Sequence, residues 1–184
     1  MDDVVFKPWI GSKYYLDNQF GLRVLVLGES HYHDGPVDPD FTTGVVKYLA
    51  QSVRNSFFTK IATLLLKKEK GTWLSDAERA DVWEHVAFYN YIQSYVGESS
   101  RIRPTEDMWL SAQKPFLAVI KELKPDVVLV LGFSLWSRLS LLALEGPEFC
   151  VIKHPSTGFR YQEWTPKFVD ALNKAKTLKQ GDKL

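Results

Sequence analysis

The sequence predicts an α/β protein, a three-layer α/β/α sandwich built on a four-stranded, mostly parallel central sheet. Short, almost wholly apolar runs recur along the chain, and two of them, Leu22 to Leu27 and Asp126 to Leu131, are each followed at once by glycine. Unbroken apolar runs of this length mark strands covered on both faces. Between them lie longer stretches with apolar residues at helical spacing, and alternation of the two periods is the signature of helices packed on a parallel sheet. The third observation is polar: Gly28-Glu29-Ser30-His31-Tyr32-His33 follows the first run and His154-Pro155-Ser156 follows the last. Open α/β sheets bind ligands beyond the carboxyl ends of their strands, so these clusters mark a site.

Each element has its own justification. Gly21 and Gly28 bracket the first strand. After a polar, Pro-containing loop from Glu29 to Pro39, apolar residues Val46, Leu49, Val53, Phe57, Ile61 and Leu64 keep helical spacing across Thr43 to Leu66, giving one or two helices. Lys67 to Gly71 reads as a solvated helix end, and Ser75-Asp76-Ala77-Glu78 has the capping-box pattern that opens a helix running to about Trp83. Val86 to Ile92 is the second strand, interrupted by Asn90. A polar loop from Gly97 to Glu106 carries Arg101 and Arg103, then helical spacing resumes from Asp107 until Lys124-Pro125 stops it. The third strand spans Asp126 to Leu131, a helix Ser134 to Leu144, the fourth strand Phe149 to Lys153, and a closing helix Thr165 to Thr177 before a Lys-rich tail. No repeat, linker or low-complexity stretch divides the chain, so residues 1–184 are expected to form a single domain.

Composition narrows the function classes. A net charge of +1 excludes a grossly basic protein but leaves room for a local positive face. The single Cys150 excludes an intramolecular disulfide and any cysteine-ligated zinc or iron–sulfur site within one chain, which suits a reducing compartment and makes a cytoplasmic location the expectation. The acidic start and the lack of any apolar run near the roughly 20 residues that span a bilayer give no sign of a signal peptide or membrane helix. Aromatic residues make up 14% of the chain, and those rings need a core or flat partners to stack on.

Glu29, Asn90 and His154 each fall at or near the end of a different expected strand, so a parallel sheet brings all three to one rim. Around them the ordered motifs Gly28-Glu29-Ser30-His31-Tyr32-His33, Phe88-Tyr89-Asn90-Tyr91, Pro125 to Gly132 and His154-Pro155-Ser156 resemble those of the uracil-DNA glycosylase superfamily, over about Leu22 to Trp164. The resemblance implies a cofactor-independent, monomeric enzyme of base excision repair, binding no metal. Its partner is DNA containing a damaged base, which it flips out before hydrolysing the N-glycosidic bond. It implies that Glu29 positions water or stabilises the sugar cation and that His154 hydrogen-bonds the leaving oxygen. Base recognition falls to Asn90, Tyr32 and Phe41, with Phe41 stacking on the flipped base. Ser156 would grip a phosphate, and Phe159 or Arg160 would wedge into the vacated stack. The chemistry suits these types: departure of uracil leaves an oxocarbenium-like sugar and an anionic base, and an amide offers the donor and acceptor that match uracil.

The motifs also depart from the pattern. Ser30 stands where the best-known branch has its catalytic Asp and His31 where it has Pro, and the cysteines of the iron–sulfur branch are absent. Those departures point to a different base lesion or to binding without cutting. Two further readings follow from the residues. One is a non-catalytic nucleotide or nucleic-acid binding module whose Arg101, Arg103, Lys153 and Arg160 touch phosphates. The other is a metal-dependent hydrolase using Glu29, His31, His33 and Asp34, since His-x-His on an extended segment projects both imidazoles to one side. His85, at a helix end before Val86, is read as a structural or surface residue.

Overall fold

The computed structural model describes residues 3–99, 102–142 and 144–181, and Arg101 lies outside them. The sheet strands are β1 (Trp9–Ile10), β2 (Val24–Gly28), β3 (Ala87–Asn90), β4 (Val127–Leu131) and β5 (Glu148–Ile152). They form one five-stranded mixed sheet in the order β1-β3-β2-β4-β5. Only β1 is antiparallel, pairing Trp9 with Phe88 and Ile10 with Ala87. The expected sheet of four strands is thus corrected to five. A two-residue edge strand is too short to show any periodicity, and it exists only because β3 offers an open edge.

Side chains along each strand alternate between two buried apolar clusters, as the two-residue period of a strand requires. Val24, Val26, Phe88, Val127, Leu129, Leu131, Cys150 and Ile152 belong to one cluster. Leu25, Leu27, Ala87, Tyr89, Val128 and Val130 belong to the other. Helices α2 (Ser56–Leu65), α3 (Asp76–Glu84) and α7 (Tyr161–Gly181) supply the first cluster, through residues such as Phe58, Ile61, Trp83, Trp164 and Phe168. Helices α4 (Glu106–Ser111), α5 (Gln113–Leu123) and α6 (Phe133–Leu139) supply the second, through Trp109, Phe116, Val119 and Leu135. Each fully buried Leu, Val or Phe contributes about 1.5–3 kcal/mol, so the two clusters hold the sheet.

Local chemistry explains the helix limits. The Ser75 side chain accepts from the Glu78 N–H while the Glu78 carboxylate accepts from the Ser75 N–H, the reciprocal cap expected from sequence. His85 closes the same helix: its Nδ1 accepts from the Gln19 N–H at 3.0 Å and its Nε2 lies 3.2 Å from Asp81. Lys124 ends α5 in the left-handed region, at φ 44°. The expected helix over Asp107 to Leu123 breaks at Ala112 into α4 and α5. Helix α1 (Phe41–Val45) continues as a π-helical stretch over Val46–Ser52. The buried Arg79 of α3 closes that stretch, donating to the carbonyls of Ala50, Gln51 and Val53. Helix α7 starts at Tyr161, four residues before the expected Thr165, and carries Pro166 inside it.

Topology singles out one rim of the sheet. The chain leaves β2 toward α1–α3 and returns in β3, whereas it leaves the neighbouring β4 into α6, on the opposite side of the sheet. Adjacent parallel strands whose connections diverge in this way are where open α/β sheets generally place their ligands, beyond the carboxyl ends. Among the described residues no helix is long and apolar enough to cross a membrane.

Candidate functional site

The strand register fixes what meets at that rim. Gly28 ends β2 opposite Asn90 at the end of β3. Leu131 and Ile152 pair at the ends of β4 and β5, and the Gly132 N–H then donates to the Ile152 carbonyl at 2.9 Å. Glu29, Asn90 and His154 therefore follow or end three strands of one sheet, on the same rim. Gly132 has φ 128°, a region natural to glycine, and the chain turns there beside His154.

Gly28 allows the Asn90 amide to lean across the central strand. A Cβ on Gly28 would overlap Asn90 Oδ1. The amide nitrogen lies 3.1 Å from His31 Nδ1 and 3.3 Å from Nε2, while His31 Nε2 sits 2.9 Å from the Thr42 hydroxyl. An amide N–H can only donate, so the Asn90 amide offers a hydrogen to the neutral His31 ring, whose Nε2 also meets the Thr42 hydroxyl. Burial holds the His31 pKa down to about 4, which keeps the ring neutral at pH 7. His31 thereby fixes which end of the Asn90 amide points where, and the second amide hydrogen and Oδ1 are left for another partner.

His154 is neutral as well. Burial lowers its pKa, and the nearby positive charges of Arg103 and Lys60 lower it further. The Ser156 N–H donates to its Nδ1 at 3.3 Å, which leaves the proton on Nε2 as a donor. The ring packs on Phe57 of α2 at 5.4 Å between centroids. Lys60, one turn further along α2, donates to the Pro155 carbonyl at 2.8 Å, and the Thr157 N–H and hydroxyl both donate to the His154 carbonyl. The His-Pro-Ser turn is thus clamped at both ends.

Glu29 is largely shielded, its side chain 14% exposed, and its carboxylate meets the guanidinium of Arg103 at 3.4 Å. Arg103 thus touches Glu29 and biases His154 from the same loop. Neither Arg103 in this role nor Phe57 was visible in the sequence, because both reach the rim from elements whose approach depends on packing. Ser30 Oγ is buried beside Glu29 without a hydrogen-bond partner.

Phe41 is half-buried within an aromatic group, 5.0 Å from His31, 5.2 Å from His33 and 5.0 Å from Tyr95. Tyr32 packs against the cluster formed by α4–α6, on the face of the sheet opposite the cluster that holds Phe88 and Ile152. Phe159 is half-buried against the α2/α3/α7 cluster and touches Tyr161 edge-on. Arg160 and Ser156 are exposed, and the Arg160 carbonyl accepts from the N–H groups of Glu163 and Trp164. Phe133, directly after Gly132, is exposed at the same rim and meets Trp164 at 5.9 Å. The ring of Phe41 stands against both His31 and His33. Among the described residues no group of three or more His, Cys, Asp and Glu side chains is placed to hold a metal ion.

The arrangement combines a shielded carboxylate, an oriented amide and a neutral imidazole donor on one rim. No family model and no curated protein matches this chain, and the resemblance drawn from its motifs stands on those residues alone.

Proposed function

We propose that this chain is a glycosylase-like enzyme, a three-layer α/β/α domain that takes a damaged or deaminated base out of DNA and hydrolyses its N-glycosidic bond. The observation that carries the reading is the Nε2 proton of His154: the backbone N–H of Ser156 occupies Nδ1 and burial keeps the ring neutral, so a donor faces the rim where Glu29 and Asn90 also stand. Helices contributing to the apolar clusters on both sheet faces support the three-layer architecture.

The chemistry follows from charge. As the C1′–N bond breaks, its electron pair moves onto the base and the sugar becomes an oxocarbenium-like cation. The His154 Nε2–H stabilises the negative oxygen of the leaving base, and the Glu29 carboxylate stabilises the cation. Water then adds its oxygen to C1′ and gives a proton to Glu29, while the base anion is protonated from solvent. Asn90, held by His31, reads the base edge with its free amide hydrogen and Oδ1. Ser30 contributes no carboxylate, so Glu29 supplies the acidic function of the motif. Ser156 and Arg160, both exposed beyond the turn, are suited to phosphate contacts. Phe133 joins Phe159 as an aromatic able to fill the vacated stack, and it is the more exposed of the two.

The test uses end-labelled single- and double-stranded oligonucleotides carrying uracil, hypoxanthine, xanthine or an oxidised pyrimidine, with and without chelator. Expected is chelator-resistant excision of at least one base. Asn90→Ala and His154→Ala lower the rate by about 10²-fold or more, and Lys121→Ala on the exposed face of α5 leaves it unchanged. Binding of every oligonucleotide with excision of none would reject hydrolysis in favour of a binding module.

A further inference from the structure

Helix α2 has a second polar surface beside the His154 turn. A cleft of about 420 Å³ lies there, lined among others by Arg54, Ser56, Lys60, Thr72, Trp73 and Tyr161, and its lining residues include two cations, of which Arg54 is paired with Asp76 just outside the lining. Its volume is that of a small-ligand site. Trp73 is 74% exposed, an unusual state for the largest apolar side chain. The Arg54 guanidinium stands over its ring, 3.9 Å from the centroid. Arg54 is itself fixed, donating to the Leu74 carbonyl at 2.8 Å and to Asp76 at 2.6 Å. One face of the indole is thus backed by an anchored cation, and the ring is held ready rather than buried.

The cleft is joined to the rim. Lys60 lines it and also donates to the Pro155 carbonyl, one residue from His154, while Phe57 on the same helix packs on the His154 ring. Lys60 thus borders both the His154 turn and the cleft. A flat aromatic face, two cations and a row of hydroxyls match the repeating unit of a single strand, in which bases stack on aromatic rings and phosphates lie on basic groups.

We propose that this cleft binds single-stranded DNA flanking the nucleotide at the rim, with one base stacked on Trp73 and its phosphate held between Arg54 and Lys60. The choice of DNA rests on the glycosylase reading; the stacking site rests on the cleft itself.

The experiment is a fluorescence-anisotropy titration of labelled 20-nucleotide oligothymidylate with the full chain, at one fixed salt concentration, for the wild type, Trp73→Ala and Trp73→Phe. Removing one base–aromatic stack is expected to weaken binding about tenfold or more, and Trp73→Phe restores most of it. An exposed ring can be removed without unfolding the chain, and thermal melts of the variants check this. Equal affinity for wild type and Trp73→Ala overturns the proposal, as does absence of binding. Tighter binding of the matching oligouridylate overturns the assignment to DNA, and full displacement of the strand by equimolar thymidine monophosphate overturns the assignment to a strand. Because the readout is binding, Trp73-dependent affinity without excision of any base sustains the cleft while rejecting the glycosylase reading. Excision that Trp73→Ala leaves intact in both KM and kcat, with affinity unchanged, does the reverse.

Discussion

Acidification should strike this protein first at His31. The ring is buried, 4% exposed, between the Asn90 amide and the Thr42 hydroxyl, with Phe6 and Phe41 against its edges. Its pKa falls from 6.5 to about 4 through burial alone. Between those values the unfolded chain holds a proton that the folded chain refuses, so the folded state is favoured above pH 6.5 and loses that advantage as pH falls toward 4. At about 1.36 kcal/mol per pH unit the whole interval amounts to about 3 kcal/mol, a large part of an ordinary domain's stability. The assay is urea denaturation at pH 7 and at pH 4.5 for the wild type and His31→Gln. The variant starts less stable at pH 7, having lost ring packing, but it has no imidazole to protonate, so the gap should narrow by about 2–3 kcal/mol at pH 4.5. Other groups titrate in both proteins and cancel in the difference. A gap that stays constant across the range would refute the assignment of this acid sensitivity to His31.

Three further outcomes follow. Gly28→Ala places a methyl group against Asn90 Oδ1, so it should cost about 1–3 kcal/mol in urea denaturation and displace the amide, reproducing the excision defect of Asn90→Ala; wild-type stability would show that the amide has room to move. Arg103→Ala removes a positive charge that depresses His154, so the ring's NMR titration midpoint should move upward, toward its ordinary value, and an unchanged midpoint would mean that burial accounts for the shift alone. Lys124→Gly relieves a left-handed residue at the end of α5 and should raise stability by about 0.5–1 kcal/mol, read from the denaturation midpoint.

What could be read from sequence was what depends on near neighbours. The apolar runs ending at Gly28 and Leu131 and the Ser75/Glu78 cap are local patterns, and the strands and helix they announced are present within a residue or two. The meeting of Glu29, Asn90 and His154 at one rim was legible too, because parallel strands leave little choice about where their carboxyl ends lie. The edge strand Trp9–Ile10 was not, since two residues carry no period. Nor was the start of α7 at Tyr161, four residues before the expected Thr165. Within the site, residue types were legible but partners were not. His31, placed by sequence as a metal-ligand alternative, instead orients Asn90. Arg103, read as a phosphate contact, pairs with Glu29. Tyr32 belongs to the cluster on the other side of the sheet from Phe88, a matter of which way one loop residue turns. Trp73 left no trace in any periodicity, because an exposed ring in a polar loop satisfies no core.

The closure of the π-helical stretch by Arg79 ties together segments that are separate in sequence. Its guanidinium holds the Ala50 and Gln51 carbonyls near the end of Val46–Ser52 and that of Val53 just after it, so if α3 detached, those acceptors would lose their donor and the charge would lose its partners in the same event. The two helices therefore have no independent melting step, and their amides should exchange with solvent as one block. That block includes the stretch following Phe41 and the helix leading into β3, which means the supports of His31 and of Asn90 open and close together.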